Sequence, residues 1–438
     1  MISNIPELYN LFLKSAGVTT DSRNIAKGQI FFALKGDNFD GNEFALQALE
    51  NGASYAVTDN GSLRGNDRIV VVENVLTTLQ QLARHHREQF SIPIFALTGS
   101  NGKTTTKELI SAVLASKYKV LQTSGNLNNH IGVPLTLLKI TTDTEIAVIE
   151  MGASGPAEID LLCSIAKPQA GLITNIGKAH LLGFGSLQGV IQAKGELYSY
   201  LHNTGGTILF NCDNRILVTM IAEREGVKSI PYGKSVNNAQ INPPTPDKPY
   251  LSLTLNGNTP INTKLIGDYN TDNILAAIAV GQLYNVTEAE CIRAIESYNP
   301  SNNRSQLLVK GAYTIIVDAY NANPTSMRAA LDNFMKLKYN LRGVIIGDML
   351  ELGNDSLEEH KAIISYLSGL DIEYIFVVGK EFKKAAISMN LSNDKFVFSD
   401  NSSLMYNYLS ENKPPENATF LIKGSRGIKL ERTLEAFT

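Results

Sequence analysis

The sequence predicts an α/β protein of three domains, and three observations carry that expectation. Its 438 residues are enough for about three units of ordinary size. Near-continuous apolar runs recur at helix-length intervals, the pattern of parallel strands covered on both faces. The rhythm is interrupted near residue 91 and again near residue 300, so the expected units span residues 1–90, 91–299 and 300–438.

The first unit mixes short β-like runs at residues 29–34 and 69–72 with helical stretches at 43–50 and 77–90, a small α/β arrangement. Pro93 opens the second unit, ahead of an apolar strand at 94–97 and a helix whose Leu109, Ile110, Val113 and Leu114 share one face. Further strands at 146–149, 171–176 and 207–210 make this unit a doubly wound parallel sheet. Residues 229–266 break the alternation. Pro243, Pro244 and Pro246 precede an alternating run at 250–255 and an Asn256-Gly257 turn, the pattern of an antiparallel hairpin. After a helix around 288–295, the polar stretch 297–303 reads as a linker. Strands at 314–317, 343–346, 375–378, 395–398 and 419–422 then alternate with helices, which makes the third unit Rossmann-like.

Composition removes several function classes. Lysine and arginine number 39 against 42 acidic residues, a net charge of -3, so no basic surplus draws the whole molecule to nucleic acid. Cys163, Cys212 and Cys291 lie far apart with no CxxC spacing, which excludes a disulfide framework or thiolate zinc site and points to a reducing compartment. The amino-terminal stretch carries Glu7 among its apolar residues and no basic leader, and no run of about 18 apolar residues occurs. A cytoplasmic protein without a membrane partner is the expectation.

Chemistry enters at Thr98-Gly99-Ser100-Asn101-Gly102-Lys103-Thr104-Thr105, set between the apolar strand at 94–97 and the amphipathic helix. In that context backbone N–H groups and a helix N-terminus cradle phosphates, glycines let the backbone come close, and a lysine lies against the β- and γ-phosphates. The Thr104 hydroxyl, on the first turn, can ligate Mg2+. The generic pattern has a glycine five positions before Gly102, where this chain has Leu97, so the loop is a shorter variant. A nucleoside triphosphate is the implied ligand.

Glu150 and His180 follow expected strands, and the carboxyl ends of strands form the ligand crevice of a doubly wound sheet. Either residue alone is more often a cap or a surface group, and only the neighbouring phosphate loop reverses that reading. The run Gly183-Phe184-Gly185-Ser186-Leu187-Gln188-Gly189 has the wrong final spacing for a dinucleotide fingerprint, which excludes a nicotinamide site. Lys194, in a helical stretch, reads by itself as a solvated lysine.

The phosphate loop does not stand alone. Gly125-Asn126-Leu127-Asn128-Asn129-His130-Ile131-Gly132-Val133-Pro134, Glu150-Met151-Gly152-Ala153-Ser154 and Asn175-Ile176-Gly177-Lys178-Ala179-His180 accompany it in the second unit. Gly267-Asp268-Tyr269-Asn270-Thr271-Asp272-Asn273 follows, and Asp318-Ala319-Tyr320-Asn321-Ala322-Asn323-Pro324, Gly347-Asp348-Met349-Leu350-Glu351-Leu352-Gly353 and Lys423-Gly424-Ser425-Arg426 lie in the third. Together these strings resemble the Mur ligase family, and within it the branch that joins D-alanyl-D-alanine to a UDP-N-acetylmuramoyl-tripeptide.

That resemblance implies an ATP-dependent amide ligase of peptidoglycan precursor synthesis, working as a monomer with small-molecule substrates and Mg2+. It implies that the first unit holds the uridine nucleotide through Ser22, Arg23, Lys35 and Gly36, with Asn126 also meeting this substrate. Gly99 to Thr105 would serve ATP together with Asn273, Arg304 and Asp318, while Thr104, Glu150 and His180 would hold magnesium. Lys194 matches a lysine that family members carbamylate, which would make it an anionic metal ligand, and Lys103, Lys194 and His180 form the expected catalytic set. Tyr320, Asn321, Asn323, Lys423 and Ser425 would receive the dipeptide. His130 and Gly427 depart from the branch's usual acidic residue and serine at those positions. Ligases that add earlier stem residues, and folylpolyglutamate synthase, share the architecture, while a nucleotide switch without ligase chemistry is the reading from another class.

Overall fold

The computed structural model describes residues 4–301 and 303–437. Met1 to Ser3 of the amino-terminal stretch and Asn302 of the expected linker lie outside the described residues. The chain forms three α/β units, each built on its own parallel or mostly parallel sheet.

The first sheet runs Val18–Thr19, Ile30–Phe32, Tyr55–Thr58, Ile69–Val71, all parallel. The helical stretch expected at 43–50 begins as a 3-10 turn, Gly41–Phe44, and becomes α-helical over Ala45–Glu50. Helix Val75–Glu88 is capped by the Asn74 side chain, which accepts from the Thr77 N–H at 2.8 Å. It packs against helices Gly132–Leu137 and Glu158–Ala166, so the first and second units share one apolar core. Arg87 fastens that seam, its guanidinium donating to the carbonyls of Ala166 and Ile92.

The central sheet has the order Lys228–Tyr232, Thr207–Asn211, Ala170–Ile173, Ile94–Thr98, Ile146–Glu150, Val120–Gln122, again all parallel. Alternate residues face opposite cores. Ile94, Ala96, Ala147 and Ile149 join the core shared with the first unit, while Phe95, Leu97, Ile146 and Val148 join one built with helices Lys103–Ala115 and Thr271–Leu283. Burial on both faces is why these strands read as unbroken apolar runs.

Two expectations need correction here. The rhythm does not break at residue 229, because Lys228–Tyr232 is a sixth parallel strand paired to Thr207–Asn211. An edge strand needs no continuous apolar run and tolerates Pro231, so this stretch carries no strand pattern in its sequence. The hairpin itself, Ser252–Leu255 with Thr259–Asn262, forms as expected, but Gln240–Asn242 adds a third antiparallel strand. The strand expected over 171–176 stops at Ile173, which frees Thr174 to His180 as a loop over the sheet's carboxyl edge.

The third sheet runs Gln306–Lys310, Tyr313–Asp318, Thr419–Lys423, Arg342–Gly347, Tyr374–Val378, Phe396–Ser399. Its first strand is antiparallel and the others parallel, so the Rossmann-like expectation gains one edge strand. Among the described residues, no helix is long and apolar enough to cross a membrane.

Candidate active site

The order of the central sheet gathers the site. Ile94–Thr98 lies between Ile146–Glu150 and Ala170–Ile173, so whatever follows those three strands meets at one carboxyl edge. The phosphate loop follows the first, Glu150 ends the second, and Thr174-Asn175 follows the third.

The loop is held as a preformed cradle. Ser100 N–H donates to the Asn175 carbonyl at 2.9 Å, and Asn101 N–H donates to Asn175 Oδ1 at 3.0 Å. Thr174 Oγ1 and Asn175 Nδ2 both donate to the Asn101 carbonyl, at 2.6 and 3.0 Å. Gly102 sits at φ +76°, a left-handed conformation, and a Cβ there would lie 2.7 Å from Asn273 Oδ1. Gly102→Ala is therefore expected to cost about 1–2 kcal/mol in backbone strain and to displace Asn273. Thermal denaturation and nucleotide titration of that variant check both effects.

Lys103 opens the helix, and its ammonium curls back onto the carbonyls of Gly99 at 2.6 Å and Ser100 at 3.4 Å. Burial pushes it below the ordinary lysine range; Glu150 and Glu351 pull it back up, while Arg304 adds to the depression. Those influences record which charges converge on the loop. Thr104 and Thr105 are buried on the same turn, and Thr106 Oγ1 donates to Asn273 Oδ1 at 2.9 Å. Asn273 is fixed in turn by its amide donating to Asn270 Oδ1 at 2.9 Å.

Glu150 provides the test for a divalent cation. Its Oε1 accepts from Asn128 Nδ2 at 2.8 Å and from Thr104 Oγ1 at 3.3 Å, whereas its buried Oε2 has no hydrogen-bond partner. A buried carboxylate oxygen left open beside a threonine hydroxyl fits a hard cation that takes its remaining ligands from phosphate and water. Among the described residues no cluster of three or more His, Cys, Asp or Glu side chains forms a metal cage by itself.

His180 is in the loop after Ile173, at φ +53°, and its Nδ1 lies 2.5 Å from Glu351 Oε2 of the third unit. Lys194 is not the solvated lysine of an isolated reading. Helix Leu187–Thr204 buries it to 1% exposure, with its ammonium 5.5 Å above the Phe184 ring. Burial, reinforced by the charge of Lys103, pulls its pKa down to about 7 against the opposing pull of Glu158 and Glu196.

The third unit closes the cleft. Asn323 Nδ2 donates to Asn101 Oδ1 at 2.7 Å, placing the start of helix Pro324–Lys336 directly on the phosphate loop. Arg304 lies 3.5 Å from the Tyr320 ring centroid, its Nε buried without a hydrogen-bond partner, and Arg426 approaches the same ring at 4.9 Å. Asp318 and Lys423 are register partners at adjacent strand ends and form an ion pair of 2.6 Å. Lys423 is 2% exposed, so Asp318→Ala strands a buried ammonium and is expected to destabilise the fold by about 3–5 kcal/mol. Urea denaturation measures that loss. Ser425 Oγ accepts from the Leu350 N–H at 2.9 Å, and Asn321 Oδ1 accepts from the Ala322 N–H at 2.9 Å, so both brace loops at this rim.

Of the residues expected to meet the uridine nucleotide, Asn126 borders this cluster, its carbonyl accepting from the Asn128 N–H at 2.8 Å, while the others lie in the first unit. Arg23 folds back on Asp21, Lys35 pairs with Asp59 at 2.9 Å, Ser22 is half-buried, and Gly36 and Asn126 are exposed. The sequence assigned no role to Asn128, Thr174, Asn175, Glu351 or Arg426, although all but Thr174 stand within the quoted strings. Nothing in a string says which partner each side chain meets. The buried Lys107 ammonium donates to the Thr123 carbonyl at 2.8 Å and ties the helix to the next strand.

Comparison with known proteins accords with this geometry. Three family descriptions match in succession: Mur ligase family, catalytic domain, over residues 14–87; Mur ligase middle domain over 97–281; and Mur ligase, glutamate ligase domain, over 303–426. The UDP-N-acetylmuramoyl-tripeptide--D-alanyl-D-alanine ligase of Bacillus subtilis is 35% identical over 428 residues, covering 96% of this chain and 92% of the relative. The crystal structure of MurF from Acinetobacter baumannii superposes with a TM-score of 0.86 at 28% identity, covering 99% of this chain and 98% of that one. MurF ligase from Thermotoga maritima in complex with ADP gives 0.83 at 27% identity, with 97% of each chain covered. The chain belongs to the Mur ligase family.

Proposed function

We propose that this protein is an ATP-dependent ligase that joins D-alanyl-D-alanine to UDP-N-acetylmuramoyl-tripeptide, giving UDP-N-acetylmuramoyl-pentapeptide, ADP and phosphate in peptidoglycan precursor synthesis. The observation that carries the reading is near-full-length identity of 35% to a ligase of that name. The seating of the third unit on the loop of the second, through Asn323 and Asn101, supports it.

A carboxylate is a poor acyl electrophile, because its leaving group would be oxide. One carboxylate oxygen of the tripeptide attacks the γ-phosphorus, ADP departs, and the resulting acyl phosphate accepts the dipeptide's amine. The amine loses a proton as the amide forms and phosphate leaves. Phosphoryl transfer asks little covalent chemistry of the protein, so its residues act by positioning and charge. Lys103 exchanges its carbonyl partners for the β- and γ-phosphates, Arg304 and Asp318 meet ATP from across the cleft, and Asn273 contacts the adenine. Magnesium, held by Thr104, Glu150 and His180, would neutralise the phosphate oxygens. Lys194, once carbamylated, would supply an anionic oxygen donor where a plain lysine would repel a cation. Ser22, Arg23, Lys35, Gly36 and Asn126 receive the uridine nucleotide, and Tyr320, Asn321, Asn323, Lys423 and Ser425 receive the dipeptide. The enzyme works as a cytoplasmic monomer with no nucleic-acid partner, its three domains divided near residues 91 and 300.

Phosphate release with magnesium, ATP and the UDP-muramoyl tripeptide, measured with and without D-alanyl-D-alanine, tests the reading. Release that depends on the dipeptide is the expected result; equal release in its absence points to a nucleotide switch instead. Running tripeptides with diaminopimelate or lysine at the third position in parallel identifies the acceptor.

A further inference from the structure

Glu351 and His180 come from different units, yet three contacts join their loops. Glu351 Oε2 lies 2.5 Å from His180 Nδ1, and the Leu182 N–H donates to the Glu351 carbonyl at 3.3 Å. Gly353, at φ +58°, brings its backbone against Leu182, where an added Cβ would sit 3.3 Å from the Leu182 Cα. Both partners hold left-handed backbones, φ +65° at Glu351 and +53° at His180, which non-glycine residues adopt at a cost of about 1–2 kcal/mol each. An ordinary surface ion pair needs no such backbone. Lys178 and Glu359, 2.7 Å apart across the same seam, make one without it.

An ionised carboxylate only accepts hydrogen bonds. Facing Glu351, the imidazole of His180 therefore carries a hydrogen on Nδ1. Phe184 links His180 to Lys194: the His180 ring meets it edge-on at 6.3 Å, and the Lys194 ammonium stands 5.5 Å from that same Phe184 ring.

We propose that Glu351 is a positioning residue for His180, fixing its Nδ1–H tautomer and ring orientation so that Nε2 is presented to the reaction centre only when the carboxy-terminal unit is seated. The third unit thus does more than carry the dipeptide, because it sets a side chain of the central one. Carboxylates that orient ligating histidines change affinity or activity by about 10–100-fold when removed. The inference rests on the ligase reading for its catalytic consequence and on geometry alone for the tautomer.

The test uses the full chain with Glu351→Ala, Glu351→Gln and, as the seam control, Glu359→Ala. Two-bond 1H–15N correlation spectra of 15N-histidine protein, with His180 assigned through its loss in His180→Ala, report the tautomer without any metal or substrate. The parent is expected to hold the Nδ1–H form, and Glu351→Ala to lose it. In dipeptide-dependent phosphate release, Glu351→Ala is expected to lower kcat by about 10–100-fold with KM for ATP nearly unchanged. Glu351→Gln, whose amide oxygen still accepts, should recover most of the rate, and Glu359→Ala should match the parent. An Nε2–H tautomer in the parent overturns the proposal, as does an equal loss of kcat in Glu351→Ala and Glu359→Ala. A parent that releases no phosphate rejects the ligase reading instead, and the tautomer then decides the role of Glu351 by itself. Should Glu351→Ala fail to fold, the Glu351→Gln spectrum and rate carry the same decision.

Discussion

Lys103→Ala is expected to abolish dipeptide-dependent phosphate release, with kcat falling by at least about a hundredfold to a thousandfold, the size seen when one preorganised charge-stabilising donor is removed. The variant should still fold. The Lys103 ammonium donates to the carbonyls of Gly99 and Ser100, and the loop is independently tied down by Thr174 and Asn175. Unchanged circular dichroism melting together with lost turnover is therefore the predicted pair of results. Substantial turnover in Lys103→Ala would refute the assignment of the phosphate loop.

Lys194→Ala is expected to be comparably inactive, for a different reason. Carbamate formation requires the neutral amine to attack carbon dioxide, and an ordinary lysine near pKa 10.4 is neutral in only about one molecule in two thousand at pH 7. With its pKa lowered to about 7 by burial and by Lys103, Lys194 is about half neutral there. The sign follows directly, since a depressed amine pKa favours the reactive form as pH rises. Between pH 6 and 8 the neutral share climbs from about a tenth to about nine tenths. At fixed dissolved carbon dioxide, 13C-carbon dioxide should label one carbamate carbon whose signal grows over that range and is absent from Lys194→Ala. A parent protein with no such signal at pH 8 would leave Lys194 a plain buried amine and remove the anionic donor from the mechanism.

The two lysines also mark how differently parts of the site could be read. The placement of Lys103 was legible because its neighbours in sequence are its neighbours in space: strand, glycine turn and helix start are local, and their spacing alone sets the lysine at the head of the helix. Lys194 offered no such pattern. Its environment comes from Phe184 on a preceding short helix, from Lys103 across the sheet and from packing on all sides, and none of these is a local property of the helix that carries it. The strand Lys228–Tyr232 illustrates the same limit in the fold. Its exposed, proline-containing sequence gave no apolar run, and only pairing with Thr207–Asn211 made it part of the sheet.

The sequence by itself determined the three-unit α/β architecture, the glycine turn that sets Lys103 and Thr104 at the start of a helix, and the strings that mark the family, because each depends on residues within about one turn or one strand of each other. Only the tertiary structure decided that Asn128 and Thr104 share Glu150 Oε1 while Oε2 stays open, that Asn323 rests on Asn101, and that Glu351 faces His180. Those pairings are set by strand order and by the seating of one unit on another. The order in which strands neighbour one another is a choice made by whole-sheet packing, and no short stretch of chain encodes it.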